Sequence, residues 1–108
     1  MKRLLFLGSS LDDLRGFPES VKREAGHQLD RVQRGLEPDD WKPMPSIGAG
    51  VSEIRVRDEA GAFRIIYLAA RPDGIYVLHA FQKKTRATRQ QDVELAAIRL
   101  RGFTRTKS

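Results

Sequence analysis

Four side chains suited to phosphate chemistry, Arg55, Arg64, His79 and Lys83, fall on successive β-rich runs of one short stretch. A guanidinium is a permanently charged planar fork that matches two phosphate oxygens. An ammonium is a second clamp, and becomes a base only when its pKa falls well below the roughly 10.4 of a free lysine. An imidazole, with a reference value near 6.5, suits proton transfer. No acidic cluster with metal-ligand spacing accompanies them, and the chain has no cysteine, so no metal or cofactor site is expected. Cations on consecutive strands without such a cluster imply a surface that holds phosphate, and hence nucleic acid. Lys84 joins Arg64, His79 and Lys83 as a candidate catalytic residue, and Arg55, Arg57, Arg86 and Arg89 are candidates for nucleic-acid contact. Each has a plainer reading. Arg55 and Arg57 can pair with Glu53 or Asp58 at a sheet edge, and a histidine between Leu78 and Ala80 is commonly a satisfied core residue.

The elements that must position these residues follow from periodicity. Lys2–Leu7 is an apolar opening strand ending at Gly8, and Ser10 with Asp13 resembles a capping box for a brief helix stopping at Gly16. Pro18 then opens a longer helix, whose Val21, Ala25, Leu29, Val32 and Leu36 form one buried stripe ended by Gly35 and Pro38. Residues 37–50, rich in Pro and Gly, read as an ordered loop pinned by Trp41 and Met44. Glu53–Arg57, Ala62–Ala69 and Ile75–Lys83 are strands joined by turns at 58–61 and 71–74. Thr88 with Gln91 repeats the capping-box spacing before a last helix carrying Val93, Ala96, Ala97 and Leu100. The expected fold is α+β in one domain, 1–108. Its small, mostly antiparallel sheet has helices packed on one face, in the order β-α-α-β-β-β-α.

Symmetric turns set Arg64 opposite Phe81, Ala62 opposite Lys83 and Arg55 opposite Arg64. Alternation then places Arg55, Arg57, Arg64, Ile66, Val77, His79, Phe81 and Lys83 on one face. Ile54, Val56, Phe63, Ile65, Tyr67, Tyr76, Leu78 and Ala80 take the other and pack on the helices. The first face suits a partly walled, cationic cleft on which Arg64 has no evident acidic partner. One β-bulge would disturb this assignment.

Charge agrees with that assignment. Residues 1–78 balance 12 Lys/Arg with 12 Asp/Glu, whereas 79–108 hold 8 Lys/Arg against Asp92 and Glu94, so the whole net charge of +6 lies in the last third. Such a region attracts polyanions; its C-terminal part, Arg101–Lys107, also reads as a solubilising helix face. A hydrophobic content of 40% with 31% charged residues is that of a globular domain rather than a disordered chain. Leu4–Leu7 is too short for a signal peptide core, and no run approaches the roughly 18 apolar residues of a membrane span. With no cysteine, a cytoplasmic protein is expected.

The segments EIRVRDEAGAFRIIY and VLHAFQKKT, followed by a helix with AAIRL, resemble the RelE/HigB-type toxins of bacterial type II toxin–antitoxin pairs, in their phage-derived, HigB-like branch. The earlier segment SLDDLRGFPESVKREAGHQLDRVQRGLEPDDWKPMPSIGAGV is also similar to that branch, so the likeness covers nearly the whole chain. The order E-[IL]-R, G-x-[YF]-R, F-x-K-K-T carries it. The resemblance implies a sheet like that of microbial ribonucleases, metal-free cleavage of messenger RNA on the ribosome, and neutralisation by a cognate antitoxin of helix-turn-helix type. It maps the toxicity-linked residues to Arg64, Lys83 and Lys84. Phe63 stands where Tyr is frequent, and Arg89 where a Pro commonly opens the last helix.

Metal-free cleavage needs the 2′-OH deprotonated, the phosphorane charge stabilised and the 5′ oxygen protonated. Arg64 suits the second task and Lys83 the first. Lys84, which alternation sends to the other side unless the strand has ended, suits backbone phosphate or ribosomal RNA. No carboxylate on the cationic face stands out as a base. Two other classes compete: a toxin acting on a protein target such as DNA gyrase, as ParE-type toxins do, and a non-catalytic RNA-binding relative.

Overall fold

The computed structural model describes residues 1–84, 86 and 88–107, without the side chains of 105–107. The elements are β1 (Arg3–Phe6), α1 (Ser10–Arg15), α2 (Glu19–Gln33), β2 (Trp41–Pro43), β3 (Val51–Asp58), β4 (Gly61–Leu68), β5 (Gly74–Lys83) and α3 (Gln90–Lys107). The five strands form one sheet in the order β1-β5-β4-β3-β2, in which only β1 against β5 is parallel. The expected α+β class and mostly antiparallel sheet are thus present, with one more strand than the sequence indicated. Trp41–Pro43 lies within the stretch expected to be a loop and pairs with Ser52–Ile54 of β3. It is short and ends on a proline, which leaves little periodic signal, and such a strand belongs at a sheet edge.

Helices α1 and α2 pack on one face. Leu14, Val21, Ala25, Leu29 and Val32 bury against Ile54, Val56, Phe63, Ile65 and Val77. The α2 stripe was legible as far as Val32. Leu36 falls beyond Gly35, which takes φ +84°, and is 51% exposed instead of continuing the stripe. Helix α3 walls part of the opposite face, where Ala96, Val93, Ala97 and Leu100 meet Ile66, Leu68, Tyr76 and Leu78.

The β3–β4 register is the one the turn at 58–61 implies, with Arg55 opposite Arg64. The β4–β5 register also holds from Ala62↔Lys83 to Ile66↔His79, and then shifts so that Tyr67 meets Val77. Leu78 is the extra residue of this bulge. As a result Val77 lies in the α1/α2 core, while Tyr76 and Leu78 lie under α3, each on the face opposite to the one simple alternation gives. The carbonyls beside the bulge are tied down. Val77 O accepts from Leu7 N at 2.9 Å and from Ser10 Oγ at 3.2 Å, and Leu78 O accepts from Arg99 Nη1 at 2.9 Å. Ser10 is therefore buried at the sheet rather than capping α1, and Ser9 Oγ donates to Asp13 at 2.8 Å.

Candidate nucleic-acid interface

On the face shared with α3, cross-strand pairing stacks the polar residues in three rows. The first runs Lys42–Glu53–Ile66–His79, the second Arg55–Arg64–Phe81 and the third Arg57–Ala62–Lys83, each across adjacent strands. Cations therefore concentrate away from α3, in the second and third rows. Ala62, a small residue, stands between Arg57 and Lys83 in the third row. Lys42, Arg57 and Lys84 are exposed, and Lys83 is half-buried.

Arg64 lies deeper than a direct phosphate clamp would. It is 2% exposed, its Nη1 donates to Phe63 O at 3.1 Å, and its Nε lies 3.4 Å from Glu53 Oε1. The expectation that Arg64 lacks an acidic partner is therefore corrected. Glu53, 1% exposed, also faces Arg55 Nε at 3.7 Å and accepts from Thr88 Oγ1 at 2.8 Å. Thr88 thus anchors the approach to α3 onto the sheet. Neither Arg55 Nε nor Arg64 Nε has a hydrogen-bond partner of good geometry, although both are buried. Two orphaned guanidinium N–H groups beside one carboxylate leave donor capacity that an anion or a water can use. Burial, offset in part by Glu53 and reinforced by Arg55 and Arg57, lowers the Arg64 pKa from its ordinary value, and the group stays charged.

Lys83 has its pKa pushed below the lysine norm, first by burial and then by the like charges of Arg64, Arg55 and Lys42, with Glu53 opposing. That is the direction a general base requires. His79 is 6% exposed. Its Nε2 is 2.8 Å from Asp92 Oδ1, and its ring stacks on Phe81 at 4.8 Å between centroids and 21° between planes. His79 therefore joins β5 to the first turn of α3 and does not open onto the cationic rows. Arg86 and Arg89 are exposed in the approach to α3, apart from the rows. Thr85, the last residue of F-x-K-K-T, lies outside the described residues, as do the side chains of Arg105 and Lys107. Among the described residues no three His, Cys, Asp or Glu side chains come together as a metal site, and no helix is long and apolar enough to cross a membrane.

Four contributors were not legible in the sequence as residues of this site. Glu53 has the same parity as Arg55, so its place on this face was legible, but its depth was not. Lys42 depends on the unforeseen strand β2. Thr88 and Asp92 act through packing of α3, which strand alternation does not address.

Residues 12–101, from α1 to near the end of α3, match the family described as phage derived protein Gp49-like (DUF891). The chain belongs to that family. Its members are toxin–antitoxin-like proteins, which suggests an antitoxin as partner. No curated protein matches the chain. The matched region of this Gp49-like protein contains all three rows together with Thr88 and Asp92, so the whole cationic face belongs to the shared domain.

Proposed function

We propose that this Gp49-like protein is the toxin of a type II toxin–antitoxin pair of the RelE/HigB kind, cleaving messenger RNA during translation and held inactive by a cognate antitoxin. One observation carries the reading. Arg55, Arg57 and Lys83 converge on an open part of the sheet beside the buried Arg64–Glu53 pair, with Lys42 at the rim. Glu53 is one carboxylate among these five cations. The charges it leaves over repel one another unless a further anion lies among them, and a scissile phosphate over Ala62 meets that need.

In this reading Lys83 takes the proton of the 2′-OH, whose oxygen then attacks phosphorus. The 5′ oxygen leaves, giving a 2′,3′-cyclic phosphate. Arg55 and Arg57 hold the non-bridging oxygens, where charge grows in the transition state. Arg64 acts from below by its charge and by fixing Glu53. The 5′ leaving oxygen takes its proton from solvent or from the exposed ammonium of Lys84. Positioning by the ribosome supplies in-line geometry that so open a face does not impose by itself.

The test is induced expression in a bacterium with mapping of messenger 5′ ends, comparing wild type with Lys83→Met and Arg57→Gln. Growth arrest with new ends inside translated regions, lost in Lys83→Met and weakened in Arg57→Gln, is the expected result. Arrest without new ends would replace the nuclease by a toxin with a protein target.

A further inference from the structure

Strand β5 outruns its neighbour. Strand β1 pairs with it only as far as Val77, so from His79 to Lys83 the outer side of β5 has no strand partner among the described residues. Along that free edge lies an open recess of about 600 Å³, whose lining includes Phe17, Phe63, His79, Phe81 and Asp13. Its lining wraps the edge of the sheet. Phe17 and Phe63, whose ring centroids are 4.8 Å apart, belong to the α1/α2 side, and the half-buried Phe81 borders it from the side of α3. The Phe81 ring is also held in place, stacked on His79, which Asp92 fixes from α3.

The recess adjoins the cationic face through a single strand. Phe81 is the cross-strand partner of Arg64, and Lys83 lies two residues further on the same side of β5. We propose that this recess receives one unpaired base of the bound RNA, stacked on Phe81, while the adjoining phosphate lies against Lys83. The proposal rests on the reading of the cationic face as an RNA site. A duplex presents no free base face, so the recess selects single strands. Asp13 lines the recess, and its carboxylate disfavours a phosphate there, which favours entry of a neutral base and leaves the phosphate to Lys83. A rigid aromatic ring beside a cation is the arrangement by which proteins hold single strands with little sequence preference.

The experiment measures binding of the intact protein to a short labelled single-stranded RNA, to the same strand in a duplex, and to strands carrying one abasic nucleotide at successive positions. Wild type is compared with Phe81→Leu and Phe81→Tyr. Stacking of one base on an aromatic side chain predicts a loss of roughly tenfold in affinity with Phe81→Leu, near-wild-type binding with Phe81→Tyr, and a similar loss with an abasic nucleotide at one position only. The salt dependence stays unchanged in both variants, because no phosphate contact is removed. Equal affinity for intact and every abasic strand would overturn the base recess and leave the phosphate face standing. That comparison uses wild type alone, so it decides the matter even where Phe81→Leu unfolds. Binding of no RNA at all would overturn the RNA reading itself. Preferential binding of an extended peptide, with slowed amide exchange at residues 79–82, would assign the edge to a protein strand instead.

Discussion

Glu53 Oε1 and Arg64 Nε stand 3.4 Å apart on adjacent strands, and the two side chains are 1% and 2% exposed. A buried pair of this kind adds little net stability relative to apolar residues of similar volume, but breaking it strands a charge. Arg64→Ala is therefore expected to destabilise the fold by about 3–5 kcal/mol, and Glu53→Ala by a similar amount. The double replacement Glu53→Met with Arg64→Met should cost much less than the two single changes together. Urea denaturation of the four proteins checks this. Additive losses would mean that the two groups are not coupled. Loss of toxicity in Arg64→Ala does not by itself make Arg64 catalytic, since the variant is expected to be poorly folded.

Lys83 separates stability from function. Its pKa is lowered in the fold, so between that value and the ordinary 10.5 the unfolded chain holds the extra proton. Stability should then rise with pH across that window, and at neutral pH the charged Lys83 is a cost to the fold. Lys83→Met, which keeps much of the side-chain volume, is predicted to raise Tm at pH 7 while abolishing toxicity. The gap in Tm should shrink as the pH approaches 10.5. If cleavage is reconstituted, its rate should climb with pH and level off below 10.5, and Lys83→Arg should remove that rise. A Tm gap independent of pH would remove desolvation of the ammonium as its cause.

How far the chain announced this arrangement depends on what each residue reports. Alternation and two turns placed Arg55, Arg57, Arg64, Phe81 and Lys83 on one face, because hairpin register follows from local sequence. Glu53 was seen only as a possible partner of Arg55 and Arg57. The turns fixed its parity, but burial depends on Thr88 and the approach to α3 closing over it. The bulge at Leu78 was invisible for a different reason. It is sustained by Arg99 and Ser10, residues distant in sequence whose donors satisfy the carbonyls around it. Strand β2 lacked any periodic signal and is defined by its pairing with β3.

Gly8 and Arg99 test that long-range support. Gly8 takes φ +58°, and a Cβ there would lie 2.3 Å from Arg99 Nε. The guanidinium cannot move aside without giving up its bonds to Leu78 O and to Ser9 Oγ, both 2.9 Å. Arg99→Ala should cost about 1.5–3 kcal/mol through the lost charged donor. Gly8→Ala should cost more in the wild-type background, about 2.5–5 kcal/mol, because the backbone penalty adds to the loss of those bonds. In the Arg99→Ala background it should cost only the left-handed backbone penalty of about 1–2 kcal/mol. Thermal melts of the three variants read the non-additivity, and simple additivity would mean that Arg99 yields freely.

Arg57 is where electrostatics can be read without disturbing the core. It is exposed, and Arg57→Gln should change folding stability by no more than about 0.5 kcal/mol. Its charge is nevertheless one of those flanking Ala62 in the third row, so it should count when phosphate binds. Neutralising one phosphate contact on a single strand reduces the slope of log affinity against log salt by about 0.7. Arg57→Gln is expected to lower the slope by that amount, and Arg57→Gln with Lys42→Gln by about twice as much if both touch the strand. A control at Arg23, exposed on α2, should leave the slope unchanged. Equal slopes for all of these proteins would move the RNA off this face, and with it the assignment of Lys83 to the chemistry.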